Sequence, residues 1–192
     1  MNSLLLHYPQ LRIIQDLAKS RTLKIYLVGG FLRDSLIGRV CLDFDFAIEK
    51  DAIDFARRFA RRIKGAFVLL DQENGCARVV KKSAGKSLIF DFADFRAETL
   101  RRDLAHRDFT INTLCVDLED LKEDAPVVKS VLSKIVRDFQ GGRRDIKLKT
   151  IRMVSSKVFQ EDPLRLLRAF SLRALSKVFL CFWIRKTAAA GL

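Results

Sequence analysis

Apolar residues recur at helical spacing from about Pro9, merge into a strand-like run at 24–28 that is unbroken from Ile25 to Val28, return at helical spacing over 30–37, and then alternate strictly with aspartate in Leu42-Asp43-Phe44-Asp45-Phe46. The pattern predicts a helix, a strand, a second helix and a strand at 43–48, followed by a helix capped by Asp51 and running through Ile63. Three short β-type runs follow at 66–70, 76–81 and 87–93, separated by the turn signals Asn74-Gly75 and Ser83-Ala84-Gly85. These elements predict an α+β class: a mixed sheet with a hairpin-like far edge, covered by helices on one face.

From Arg107 onward the helical period dominates, with a last strand at 114–118 and an acidic, Pro126-containing stretch at 118–127 that reads as a solvated connection. Gly141-Gly142 marks a break, and Glu161-Asp162-Pro163 starts a helix with proline in its first turn. After about Ala174 the helical pattern gives way to an apolar run at 178–184 and a small-residue tail, which suggests a truncated or frame-shifted terminus with an exposed apolar patch. The resulting division is 1–140 and 141–192.

The chain has 192 residues and 49% hydrophobic content, enough for one domain with a core and part of a second. Lys and Arg number 36 against 23 Asp and Glu, and the net charge of +13 points to a polyanionic partner such as nucleic acid or nucleotide. Cys41, Cys76, Cys115 and Cys181 have no C-x-x-C spacing, and His7 and His106 lie far apart, which argues against a zinc site or a disulfide framework. No apolar run reaches membrane-spanning length, so the default expectation is a reduced, cytoplasmic setting without a membrane.

Alternation on a strand projects Asp43 and Asp45 to one side, where they can grip divalent cations together, while Phe44 and Phe46 face a core. An isolated pair of aspartates is commonly a surface feature. Here it follows Gly29-Gly30-x-x-Arg33-Asp34, a turn at the end of an apolar strand whose glycines allow phosphate oxygens close to the backbone. Two-metal transfer chemistry also calls for a further carboxylate on a neighbouring strand; Asp91 is the candidate, and Asp94 would point to the opposite face.

Two charged clusters come later. In Arg101-Arg102-Asp103 and Arg107-Asp108, a continuous helix would pair Asp103 with Arg107 and Asp108 with Asn112, offering guanidinium groups to phosphates and polar groups to ribose. In Glu161-Asp162-Pro163-Leu164-Arg165, a carboxylate can accept from the exocyclic amine of cytosine or adenine while Arg165 donates to a neighbouring acceptor. The plain alternatives are a solvated charged face for the first and a capped helix start for the second. Arg57-Arg58 and Arg61-Arg62 read as a solvated helix face.

The stretches LVGGFLRDSLIG, LDFDFAIE, RRDLAHRDFTINTL, DFQGGRRDI and FQEDPLRLLRAF, in that order, resemble the class II tRNA nucleotidyltransferase (CCA-adding enzyme) and bacterial poly(A) polymerase family. The resemblance implies a DNA polymerase β-like catalytic head followed by the start of an all-helical neck. It implies Mg²⁺, as two ions, at Asp43 and Asp45, with CTP and ATP as substrates and a tRNA or other RNA 3′ end as acceptor. By position it implies nucleotide contacts from Gly29, Gly30, Arg33 and Asp34; ribose and phosphate contacts from Arg102, Asp103, Arg107 and Asn112; base reading by Asp162 and Arg165; and a triphosphate contact from Arg168. Gly141 and Gly142 resemble a head–neck hinge. Ser171 stands where many members carry arginine, and Thr113 replaces a usual alanine. CCA, CC-only, A-only and poly(A) addition all stay open, as does a truncated RNA-associated module without turnover.

Overall fold

The computed structural model describes residues 4–83, 85–122, 129–176 and 179–180. In chain order its elements are α1 (Leu4–His7), α2 (Pro9–Ser20), β1 (Ile25–Val28), α3 (Gly30–Ile37), β2 (Asp43–Ile48), α4 (Ala52–Ile63), β3 (Ala66–Asp71), β4 (Cys76–Ser83) and β5 (Lys86–Asp94). There follow α5 (Leu100–Ala105), β6 (Cys115–Asp117), α6 (Lys129–Ile135), α7 (Gly142–Lys147), β7 (Thr150–Ile151), α8 (Val158–Glu161), α9 (Leu164–Ser176) and β8 (Phe179–Leu180). Among the described residues no helix is long and apolar enough to cross a membrane. Much of the apolar run at 178–184, and the tail after it, lies outside the described residues.

Six strands make one sheet in the order β3-β4-β5-β2-β1-β6, with β2 and β5 parallel and each other neighbouring pair antiparallel. This is the mixed sheet with a meandering far edge that the alternation predicts. Its centre is a phenylalanine ladder: Phe44 lies opposite Phe90 and Phe46 opposite Phe92 across the β2–β5 pair, with ring centroids 5.2 and 5.0 Å apart. α4 lays Phe55 and Phe59 over the same rings, and α3 stacks Phe31 on Phe44 at 4.5 Å. Such ring pairs contribute about 0.5–1.5 kcal/mol each beyond their burial. α2 closes this face with Leu11, Ile14 and Leu17, all buried.

Four sequence expectations need correction. The second sheet face is also partly covered, because Leu104 of α5 packs with Tyr26, Val28, Ala47 and Cys115. The chain from Arg107 is no continuous helix: α5 ends at Ala105, and Thr110–Asn112 forms a single 3-10 turn. The acidic stretch from Leu118 is anchored in its described part, since Leu118 and Leu121 are buried in the main core. Asp51 does not cap α4; its backbone is left-handed at φ +63°, outside the extended range a capping residue needs, and Asp94 Oδ1 accepts from the Ala52 N–H at 2.8 Å instead.

Residues 138–153 weld the helical segment to the sheet domain. Asp138 accepts from the backbone N–H groups of Gly141, Gly142 and Arg143 at 2.8–2.9 Å, capping α7. Buried Asp145 accepts from Arg152 at 2.7 and 2.9 Å and from the Thr110 hydroxyl. Gly142 lies so close to the Thr110 carbonyl that a Cβ there would overlap it, which explains the glycine. α9 then buries Ala169 and Leu172 against Phe109 and Ile111.

Replacing Asp94 with alanine should lower stability by about 1 kcal/mol through loss of the α4 cap. Asp51→Gly, which accepts the left-handed backbone without strain, should leave stability unchanged or raise it. Urea unfolding of both variants checks the assignment; a larger loss at Asp51 than at Asp94 would refute it.

Candidate active site

The phenylalanine ladder fixes what lies on the other face. Because Phe44, Phe46, Phe90 and Phe92 all point into the core, Asp43, Asp45 and Asp91 must point away from it, and the register sets Asp45 directly opposite Asp91. Asp94, two strand positions from Phe92, turns to the helix face as its parity requires. Beside these carboxylates β1 ends in Gly29, at φ +76°, whose N–H donates to the Leu114 carbonyl at 3.0 Å. A Cβ on Gly29 would stand 3.0 Å from Arg107 Nη1 and 3.2 Å from Asp45 Oδ2, so a bare backbone lets arginine and carboxylate meet there.

The arginines arrive from three elements. Arg33 of α3 donates through Nη1 to Asn112 Oδ1 at 2.6 Å and through Nε to Asp34 at 2.9 Å, so Asp34, which lines the same cavity, orients Arg33. Asn112 in turn donates to Asp108 Oδ1 at 3.0 Å. Arg168 of α9 reaches to 3.3 Å from Asp108 Oδ2. Arg107 follows α5, and its Nε is buried without a hydrogen-bond partner. These groups line two adjoining cavities of about 280 and 240 Å³ that share Asp45, Arg107 and Arg168. The first continues over Gly29, Gly30, Arg33 and Asn112; the second continues over Asp91, Asp108 and Arg165. Together they reach the range of about 300–1,000 Å³ usual for ligand pockets.

The electrostatics are those of an uncompensated acidic pair facing cations. Partial burial, then the Asp45 and Asp91 charges, push Asp43 up to about 6. Burial raises Asp45 as well; Arg107, Arg168 and Arg33 pull against the shift and Asp91 adds to it. Added positive charge would relieve both groups. Among the described residues no three His, Cys, Asp or Glu converge as a metal cage. Two carboxylates with the remaining positions open to water and phosphate suit Mg²⁺, which keeps most of its waters and takes few protein ligands.

Of three further residues expected here, one lies elsewhere and two line the cavity with other partners. Arg102 is exposed, pairs with Glu98 at 2.8 Å and lines neither cavity. Asp103 is buried in the cavity wall, but its Oδ1 accepts from the Arg96 N–H at 3.0 Å, and the helix ends before it can meet Arg107. Asp91 faces the cavity with both oxygens held by Arg78. In the helical segment, Asp162 Oδ1 accepts from the Leu164 N–H at 2.9 Å, and its Oδ2 lies 3.8 Å from Arg165 Nε. Arg165 is buried, donating to the His106 and Val158 carbonyls at 3.0 and 3.4 Å. Asp108, whose four-residue spacing from Asn112 singled it out, takes its place in the site; Arg78 enters without having been singled out, the alternation of 76–81 being the available signal. Ser171 lines the first cavity, with its hydroxyl donating to the Leu167 carbonyl at 3.1 Å.

The family described as the poly A polymerase head domain matches residues 25–152, which span the whole of this constellation except its α9 contribution. The chain belongs to that family. Its fold is the head of the class II tRNA nucleotidyltransferases. It is 38% identical over 162 residues to a CC-adding tRNA nucleotidyltransferase of Geobacter sulfurreducens, covering 84% of this chain and 34% of that protein. It is 37% identical over 161 residues to an A-adding tRNA nucleotidyltransferase of Aquifex aeolicus, covering 77% of this chain and 18% of that protein. The structure of a Thermotoga maritima CCA-adding enzyme complexed with tRNA superposes with a TM-score of 0.71 at 32% identity, over 90% of this chain and 38% of that one. The chain thus spans about a third or less of the length of these two curated relatives.

In this head domain a raised Asp43 has a measurable consequence. Its contribution to stability is full below about pH 4, where folded and unfolded forms are both protonated, and is lost as pH rises through about 6, where ionisation is penalised only in the folded state. The stability of the parent chain relative to Asp43→Asn should therefore fall as pH rises across that window without divalent cation. Urea midpoints at a series of pH values check this; a constant difference would contradict it.

Proposed function

We propose that the chain is the catalytic head, with the start of the neck, of a template-independent RNA 3′-end nucleotidyltransferase that adds C, A or both to tRNA from CTP and ATP with release of pyrophosphate. The observation that carries the proposal is the Asp43–Asp45 pair on one sheet face, bordered by the Gly29-Gly30 turn and opposed by Arg33, Arg107 and Arg168. Asp43 and Asp45 would hold Mg²⁺, as two ions. Bound there, the ions would supply Lewis-acid polarisation of the α-phosphate and acidify the RNA 3′ hydroxyl.

The protein's own groups do the positioning. Gly29 and Gly30 admit phosphate oxygens to the backbone, and Arg33, fixed by Asp34 and Asn112, holds its charge beside them. Arg107, packed beside Gly29, and Arg168 present further cations to the cavity, where charge would build on the departing pyrophosphate. Asp108, at the meeting point of Arg168 and Asn112, offers a carboxylate for a ribose hydroxyl. Asp162 and Arg165 are the base-reading pair; Arg165 is locked by two carbonyls, which suits a reader that must reject bases by geometry. A reduced, cytoplasmic setting fits the reaction and the free thiols of Cys41, Cys76 and Cys115.

Labelled CTP or ATP offered with Mg²⁺ and tRNA lacking its 3′ CCA should give labelled tRNA. Alanine at Asp43 or Asp45 should cut the rate by at least about a hundredfold; near-normal turnover in either variant would overturn the reading. CTP and ATP should be preferred to UTP and GTP, and Asp162→Ala should lose about 1–3 kcal/mol of that preference. Equal use of all four nucleotides would refute the base-reading assignment. The same assay reads whether C, A or both are added.

A further inference from the structure

One row of side chains crosses the open face of the sheet. Asp45 on β2 lies opposite Asp91 on β5, Asp91 lies opposite Arg78 on β4, and Arg78 lies opposite Val68 on the edge strand β3. Asp91 lines the same cavity as Asp45. Yet both of its oxygens are engaged: Arg78 Nε donates to Oδ1 and Nη2 donates to Oδ2, both at 2.7 Å. A carboxylate placed beside the acidic pair is thus also gripped by a two-pronged contact from the far side.

We propose that Arg78 is a positioning residue, a latch that holds Asp91 off the Asp43–Asp45 pair in competition with divalent cation, so that Asp91 joins the other two as a cation-binding carboxylate only when the latch opens. The proposal rests on the nucleotidyl-transfer reading of the same site. Three observations carry it. The pair is only partly buried, with 38% and 23% of the two side chains exposed, so water and a divalent cation can reach it and compete for the carboxylate. Released Arg78 has somewhere to go, because its row ends at half-exposed Val68 on the sheet edge, along which its stem can lie with the guanidinium in water. The contact also uses the planar fork of arginine, which lysine cannot reproduce, so the latch is specific to this side chain.

The test titrates Mn²⁺ into the nucleotide-free chain and reads free Mn²⁺ by electron paramagnetic resonance in the parent, Arg78→Met, Asp91→Asn and the double variant. Arg78→Met should bind Mn²⁺ about tenfold more tightly than the parent, whereas the same change on top of Asp91→Asn should alter affinity by about twofold or less, the remainder reflecting charge removal alone. An equal gain in both backgrounds would make Arg78 a general repulsive charge, and no gain would leave Asp91 unlatched; either result overturns the proposal. Arg78→Lys keeps the charge and serves if the methionine variant fails to fold: it should show a smaller gain, again abolished by Asp91→Asn, and a gain that survives Asp91→Asn refutes the latch. Transfer of labelled CMP or AMP to RNA by the parent is scored separately. Transfer without Mn²⁺ coupling sinks the latch alone, and coupling without transfer sinks the nucleotidyl-transfer reading alone.

Discussion

The in-register parallel pairing of β2 and β5 is the constraint on which the rest depends. Both strands alternate phenylalanine with aspartate, so burying the four rings in one core leaves the three carboxylates on the opposite face at strand spacing. A slip of one residue would put aspartates into the core and rings into the cavity, at a cost in desolvation that no local rearrangement could offset. Packing energy thereby holds like charges together, which electrostatics alone would separate. Burial first, and then the neighbouring carboxylates, raise the affinity of Asp43 and Asp45 for protons.

Cations are brought to this face by elements that depend on one another. Arg33 is set by the Gly29 turn, Arg107 by the end of α5, and Arg168 by α9. α9 keeps its place through Phe109 and Ile111, and the segment between them is pinned by Asp145, which ties Thr110 to Arg152. The Thr110–Asn112 turn therefore serves two ends: its backbone and hydroxyl receive the helical segment, and its Asn112 orients Arg33. The candidate site and the helical segment thus meet at that turn.

Much of this was legible along the chain, and the misses have physical causes. Period-two alternation settles which face Asp43, Asp45, Asp91 and Asp94 take, and Gly-Gly at a strand end marks the close backbone approach at Arg107. The pairing of Asp103 with Arg107 failed because helical spacing was carried across His106, where α5 stops and the chain turns. Asp51 stands where a capping residue would, but its left-handed backbone hands the cap to Asp94, forty-odd positions away in sequence. The Arg78–Asp91 pair needs the order of the strands, which alternation within each strand does not supply.

The central claim is that two carboxylates forced onto one face by an aromatic core, opposed by three arginines, form a binding site for divalent cation and nucleoside triphosphate. The most direct measurement is a crystal of this chain soaked with Mn²⁺ and CTP, with the metal located by its anomalous scattering. The account predicts metal density against the carboxylates of Asp43 and Asp45, with triphosphate oxygens against the Gly29-Gly30 turn and Arg33, Arg107 and Arg168. Metal or triphosphate ordered elsewhere, with Asp43 and Asp45 unligated, would contradict it.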